Sequence, residues 1–332
     1  MSIVFRSVAF EKKPDTFVSI ISYRDPALLT TIESLLDQAK DPWRFRIVAL
    51  LDADTVRDAE LIARARDFIH PNVTIQIRPT ILSKGVGEAR AHVFNNYVRD
   101  EYFVLQLDSQ QEFVKNWDEY LYNQWDRIED PMAVLTYNPS DIGVPEDDMY
   151  DKSYMFVYKG VNRYGIPQQK SHLTDREPMW KYQGRIKTVG WCAGMSLTTV
   201  QTMQEVPIDP CMYFLGEEIS YAVRLFTHGY NIYLVDNHLM THVYRRQGRI
   251  KPLHTIDYPN ESAIMDKLTQ LRVAKVLGIP VVEFIPQALK NLTPYKLGKK
   301  RTYAQWRRVA RIENPMKTVD SPDPKPWEFD YA

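Results

Sequence analysis

The chain has little of what marks the more specialised protein classes. Only two of its 332 residues are cysteine, Cys192 and Cys211. Neither stands in a CxxC pair, which excludes a disulfide framework and predicts two reduced, buried thiols. Charge of one sign is not in excess either: 42 Lys and Arg balance 42 Asp and Glu, so no overall field draws the chain to nucleic acid or to a membrane surface. No apolar run approaches the ~20 residues that span a bilayer. The opening "MSIVFRSVAFEKKPD" lacks the basic start, apolar run and small-residue cleavage site of a secretory leader, so the cytoplasm is the expected setting. No GxGxxG follows the first strand pattern, and no GxxxxGK[ST] occurs. That removes support for dinucleotide redox chemistry and for P-loop phosphoryl transfer. Internal repeats and low-complexity blocks are absent too.

What is there is globular. At 44% hydrophobic and 25% charged, the chain holds enough apolar material for a sizeable core. The first half alternates strand and helix patterns. "TFVSIIS" (16–22), "FRIVALL" (45–51), "VTIQIR" (73–78) and "YFVLQL" (102–107) read as strands, with helical spacing between them. That alternation predicts βαβ units and a mainly parallel sheet, with ligands held in the crevice at the strand C-termini. Residues 138–185, rich in Tyr, Pro, Asp and Lys without clear period, predict a long loop region on the acceptor side. Regular structure is expected again from "KTVGWCAGMSLTTV" onward, with a helix near 260–277 and a Pro-rich end.

Several strands end in polar residues: Ser22-Tyr23-Arg24-Asp25, Asp52-Ala53-Asp54 and Asp108-Ser109-Gln110. Aspartate commonly ends a strand and starts a turn, so any one of these is weak on its own. Their recurrence points to a shared edge. One acidic residue at a strand end and a histidine from a distant strand suit a hard divalent cation, which keeps waters and takes its other ligands from phosphates. His242 in "THVYRR" is the candidate partner, and Arg245 and Arg246 after it are candidates to neutralise a diphosphate. In "YFLGEEI" (213–219), Gly216 permits an unusual backbone angle, and Glu217 and Glu218 open a helix whose dipole suits carboxylates.

These residues lie in segments that resemble the hydroxyproline polypeptide N-acetylglucosaminyltransferases, cytoplasmic enzymes with many bacterial and viral relatives. The matching motifs are "VSIISYRDPALLTTIESLLDQA", "GVGEARAHVFNNYVRDEYFVLQLDSQQEFVKNWD", "LTYNP", "WCAGMSLTT", "VPIDPCMYFLGEEISYAVRLFTHGYNIYLV" and "THVYRR", in the family's order over roughly residues 16–246. The resemblance implies a GT-A fold, a Rossmann-like sheet flanked by helices. It also implies a UDP-sugar donor, Mn2+ or Mg2+, and retention at the anomeric carbon. It places the catalytic domain in residues 1–250, with 251–332 as a helical extension. Ser22, Arg24 and Asp25 match the SYRD motif near the nucleotide, and Arg90 matches an arginine at the donor. Asp108 and His242 match metal ligands. Glu217 and Glu218 match a GEE motif around sugar and acceptor, and Asp209 just before it is a third candidate to orient the acceptor. Two departures stand out. The family's D-S-H is D-S-Q here, so Gln110 replaces a metal-binding histidine with a weaker amide oxygen. "ALLDADT" (49–55) also differs from the pattern, which leaves the donor sugar open.

The acceptor is expected to be a hydroxyl on a macromolecule. "YKLGKKRTYAQWRRVAR" (295–311) carries seven basic residues and no acid, interleaved with Tyr295, Tyr303 and Trp306. That combination fits a nucleic-acid surface, and with it a transferase acting on hydroxymethylated DNA bases; an amphipathic helix with a solvated basic face is the simpler reading. A third expectation is a catalytically inactive nucleotide-sugar-binding module, with Gln110 marking the lost function.

Overall fold

A computed structural model of the protein describes residues 13–143, 150–244, 254–281, 283 and 285–312. The alternation expected in the first half is there: β1 (Thr16–Tyr23), α1 (Leu28–Gln38), β2 (Phe45–Ala53), α2 (Ala59–Asp67), β3 (Val73–Pro79), α3 (Val86–Tyr97) and β4 (Phe103–Asp108). Next come β5 (Gln111–Phe113), α4 (Trp117–Ile128), β6 (Ala133–Thr136), β7 (Ser140–Asp141), β8 (Lys152–Val161), β9 (Pro167–Asp175) and α5 (Glu177–Lys181). The remainder is β10 (Lys187–Thr188), β11 (Met195–Thr199), α6 (Val200–Glu205), α7 (Glu217–Thr227), β12 (Asn231–Leu234), β13 (Met240–His242), α8 (His254–Asp257), α9 (Pro259–Val276) and α10 (Tyr303–Val309).

Eight strands form one sheet in the order β10-β12-β6-β11-β4-β1-β2-β3. The run β4-β1-β2-β3 is parallel, and β11 lies antiparallel between β4 and β6. Because helices cover both faces, β1 and β2 read as nearly unbroken apolar runs rather than alternating ones. On one face, Ile32 and Leu35 of α1 and Trp117 and Leu121 of α4 pack on Val18, Ile47 and Leu105. On the other, Val93 of α3 and Tyr221 and Leu225 of α7 pack on Phe17, Val48 and Val104. A separate three-stranded sheet, β5-β13-β7, stands beside the C-terminal end of β4.

The 138–185 region differs from the loop expected for it. β8 and β9 pair antiparallel as a hairpin, with Met155 and Val157 buried. Most of β9 is exposed and polar, which hides the strand period in the sequence. The hairpin, the outer side of α7 and the C-terminal helices share a third core of Met155, Ile219, Val223, Val273 and Trp306.

The basic-aromatic segment also resolves differently. Trp306 is fully buried and donates its indole N–H to the Val189 carbonyl at 3.2 Å. Tyr303 stacks on it with ring centres 5.8 Å apart. Tyr295 lies 5.4 Å from each of the Arg224 and Arg272 guanidinium groups. Trp306 therefore serves the protein's own packing, while Tyr303 and Tyr295 pack beside it and beside two arginines and stay half-buried. Of the two thiols, Cys192 is buried as expected, but Cys211 is exposed because it sits in the turn before α7.

Candidate functional site

Strand register builds the edge. Ile21 of β1 pairs with Asp108, and Tyr23 with Asp52, so three polar strand ends lie side by side. The Asp108 main-chain N–H donates to the Gly194 carbonyl at 3.1 Å. A Cβ at Gly194 would stand 3.2 Å from Asp108 Oδ2, so glycine lets that loop press against the carboxylate. In the small sheet, His242 of β13 pairs with Gln111 of β5, three residues after Asp108. That pairing carries the distant histidine to the edge, with His242 Nε2 3.7 Å from Asp108 Oδ2.

Arg90 comes from α3, is buried, and donates to Glu217 and to Asp108 Oδ1, the latter at 3.2 Å. Burial opposes its charge, yet Glu217 and Asp108 keep its pKa above the ordinary value. Gly216, at φ 104°, makes the left-handed turn that starts α7 and places Glu217 and Glu218 in its first turn. Burial pushes the Glu217 carboxyl up, and Arg90 opposes that shift. Glu218 accepts the Ala193 N–H on one oxygen at 2.9 Å and the Gln169 side-chain amide on the other at 2.8 Å. Loss of water contact raises its pKa to about 7, with the Glu217 charge adding to the shift.

Several buried atoms here have no hydrogen-bond partner among the described residues: Gln110 Oε1, His242 Nδ1, Glu217 Oε1, Arg90 Nε and Ser22 Oγ. Such atoms are rare in folded proteins unless something else satisfies them. Among the described residues, no three His, Cys, Asp or Glu side chains gather as a metal cluster. A carboxylate, an imidazole and the unsatisfied amide oxygen of Gln110 nevertheless fit a hard cation that takes its remaining ligands from water and phosphate.

Other sequence-predicted residues are placed otherwise. Asp25 is buried and accepts from the Ala27 N–H at 3.0 Å and the Ser109 hydroxyl at 3.4 Å, so it braces the loop after β4. Arg24, in the left-handed region at φ 53°, is held by ion pairs to Asp58 and to Asp257 of α8. Asp257 also accepts from the Tyr23 hydroxyl and from Arg57. Asp209, expected at the acceptor, is paired instead with the buried Arg272 of α9 at 2.6 Å and capped by the Cys211 N–H at 3.0 Å. Its carboxylate closes a buried ion pair and does not join the Asp108 group. Arg245 and Arg246 lie outside the described residues.

Sequence reasoning missed Tyr244, Asn138 and Gln169. The Tyr244 ring lies 4.1 Å from that of His242, and its hydroxyl donates to Asn138 Oδ1 at 3.3 Å. Burial raises its pKa, and Cys192, Asp108 and Glu218 nearby add to the rise. The tyrosine two residues after His242 in "THVYRR" was the available signal.

The family model that matches is Glycosyltransferase (GlcNAc), over residues 48–315. The chain belongs to this glycosyltransferase family. Among solved structures, GalNAc-T7 with UDP, GalNAc and Mn2+ matches with a TM-score of 0.57 at 14% identity, covering 90% of this chain. The chain spans 56% of the length of that protein. The shared architecture is the GT-A fold. TarS 1–349 of S. aureus matches with a TM-score of 0.47 at 14% identity, over 84% of this chain and 70% of that one. The mannosyltransferase PcManGT of Pyrobaculum calidifontis, in complex with GDP-Man and Mn2+, gives a TM-score of 0.46 at 11% identity, over 85% of this chain and 80% of that one. No curated protein matches. Among the described residues of this glycosyltransferase, no helix is long and apolar enough to cross a membrane.

Proposed function

We propose that this glycosyltransferase moves a sugar, N-acetylglucosamine or a close relative, from a UDP-sugar to a hydroxyl on a protein or other macromolecule, with retention at the anomeric carbon. The observation that carries the reading is the approach of His242 Nε2 to within 3.7 Å of Asp108 Oδ2 at the C-terminal edge of β4. Asp108, His242 and Gln110 would hold Mn2+ or Mg2+, which supplies positive charge opposite the departing diphosphate. GalNAc-T7, crystallised with UDP and Mn2+, supports that donor and cation class.

The chain's own residues do the rest. Arg90 fixes Asp108 and Glu217 relative to each other and keeps its charge beneath them. Ser22 offers the donor a hydroxyl without a partner among the described residues. Arg24, held by Asp58 and Asp257, shapes the donor end without lending it free charge. Glu218 lies on the acceptor side, where an ionised carboxylate orients the incoming hydroxyl and offsets positive charge at the anomeric carbon. The acceptor oxygen bonds to that carbon on the face the diphosphate leaves, and its proton passes to a phosphate oxygen. We assign this chemistry to residues 1–250 and the bracing of its outer face to 251–332.

The test is hydrolysis and transfer across a panel of nucleotide sugars with Mn2+, Mg2+ or chelator. Metal-dependent release of UDP is expected, with the product's anomeric configuration retained by NMR. Turnover of no nucleotide sugar would sink the reading and favour a binding module.

A further inference from the structure

We infer that Gln169 is a positioning residue for Glu218, so that the β8–β9 hairpin sets the aim of the carboxylate on the acceptor side. The inference rests on the function proposed above.

Three hydrogen bonds carry it. Tyr158 and Gln169 are cross-strand partners in the hairpin. The Tyr158 hydroxyl donates to Gln169 Oε1 at 2.8 Å, which takes up the amide oxygen and turns the nitrogen outward. That nitrogen donates to Glu218 Oε2 at 2.8 Å. The Ala193 N–H, from the loop that also touches Asp108, holds the second oxygen at 2.9 Å. A glutamate side chain has three rotatable bonds, and one hydrogen bond leaves the carboxylate free to swing. Two donors from two separate elements fix its plane and its height above the sheet. Gln169 is half-buried between the exposed Gln168 and Lys170.

The relay continues behind the hairpin. The Tyr158 ring meets Trp306 edge-on at 4.8 Å, so the phenol is itself anchored in the third core. Nothing in the chain order joins Trp306, Tyr158, Gln169 and Glu218. The hairpin joins them in space.

The experiment compares the full chain with Gln169→Glu and Gln169→Leu, using UDP-N-acetylglucosamine with Mn2+ and following UDP release. Gln169→Glu is isosteric and still accepts from Tyr158 but offers Glu218 no donor. Both variants are expected to lose roughly tenfold in kcat, with donor KM within about twofold and the thermal midpoint within a few degrees of the parent. Tyr158→Phe, which frees the amide to rotate, is expected to lose about threefold. Unchanged kcat in Gln169→Glu overturns the positioning role. So does a fall in thermal midpoint with kcat per folded molecule unchanged, which marks a packing residue only. If the parent chain turns over no nucleotide sugar, the proposed function fails and takes this role with it. If the parent is active and Gln169→Glu matches it, the positioning role alone fails.

Discussion

Two of the chain's aspartates, Asp209 and Asp108, carry opposite designs. Asp209 is closed in: Arg272 on one oxygen, a main-chain N–H on the other, and carbonyls of Ala288, Lys290 and Asn291 taking the other guanidinium donors. Asp108 stands among groups whose needs are not met by the described residues, with atoms on Gln110, His242, Glu217 and Arg90 that find no partner among them. A closed network of buried charge holds a structure together. An open one leaves donors and acceptors that water or a ligand can take up. The difference separates a residue that holds the protein together from the one we propose to work in it.

Loss of each carboxylate should therefore show in different measurements. Asp108→Ala is expected to lower metal-dependent turnover by about a thousandfold while the thermal midpoint holds, since Arg90 keeps Glu217; near-parental turnover would break the contrast. Asp209→Ala leaves Arg272 buried and unpaired, and is expected to cost about 3–5 kcal/mol in denaturant unfolding. A stable but inactive Asp209→Ala would move Asp209 into the open group.

Glu218 sharpens the contrast through pH. Its carboxyl is raised from an ordinary 4.5 to about 7, so the native state keeps a proton that the unfolded chain has released. Stability from this group is fully present below the unfolded value and is lost as pH rises through about 7. In metal-free protein, Glu218→Gln should gain on the parent by about 1–2 kcal/mol between acid and neutral pH, allowing for partial solvent contact. Parallel stability curves for the two proteins would place Glu218 among the satisfied groups. The smallest effect belongs to Gln110→His, which exchanges an amide oxygen for an imidazole and is expected to tighten Mn2+ by roughly tenfold in calorimetry. Unchanged affinity would put position 110 outside the ligand set.

The parallel half of the sheet was legible because doubly covered strands write nearly unbroken apolar runs, as in Phe17–Ile21, broken only by Ser19, and Ile47–Leu51. The edge was legible for the same reason: Asp108 ends such a run abruptly. Asp209 was misleading because nothing local distinguishes a carboxylate that faces an acceptor from one that meets Arg272 across 63 positions of chain. Gln169 carried no signal at all, since a glutamine on an exposed strand looks like any solvated residue. The resembling motifs end near residue 246, whereas the family match runs to 315. The physical reason lies in the third core, where Val273 and Trp306 meet the hairpin and α7.

Trp306 has a practical side. A shortened chain that stops before Thr302 would remove an indole with no exposed surface, leaving an opening against Tyr158 and the Val189 carbonyl. Anyone cutting this protein into pieces for expression should find the yield lower for an endpoint at about 300 than for one at about 310.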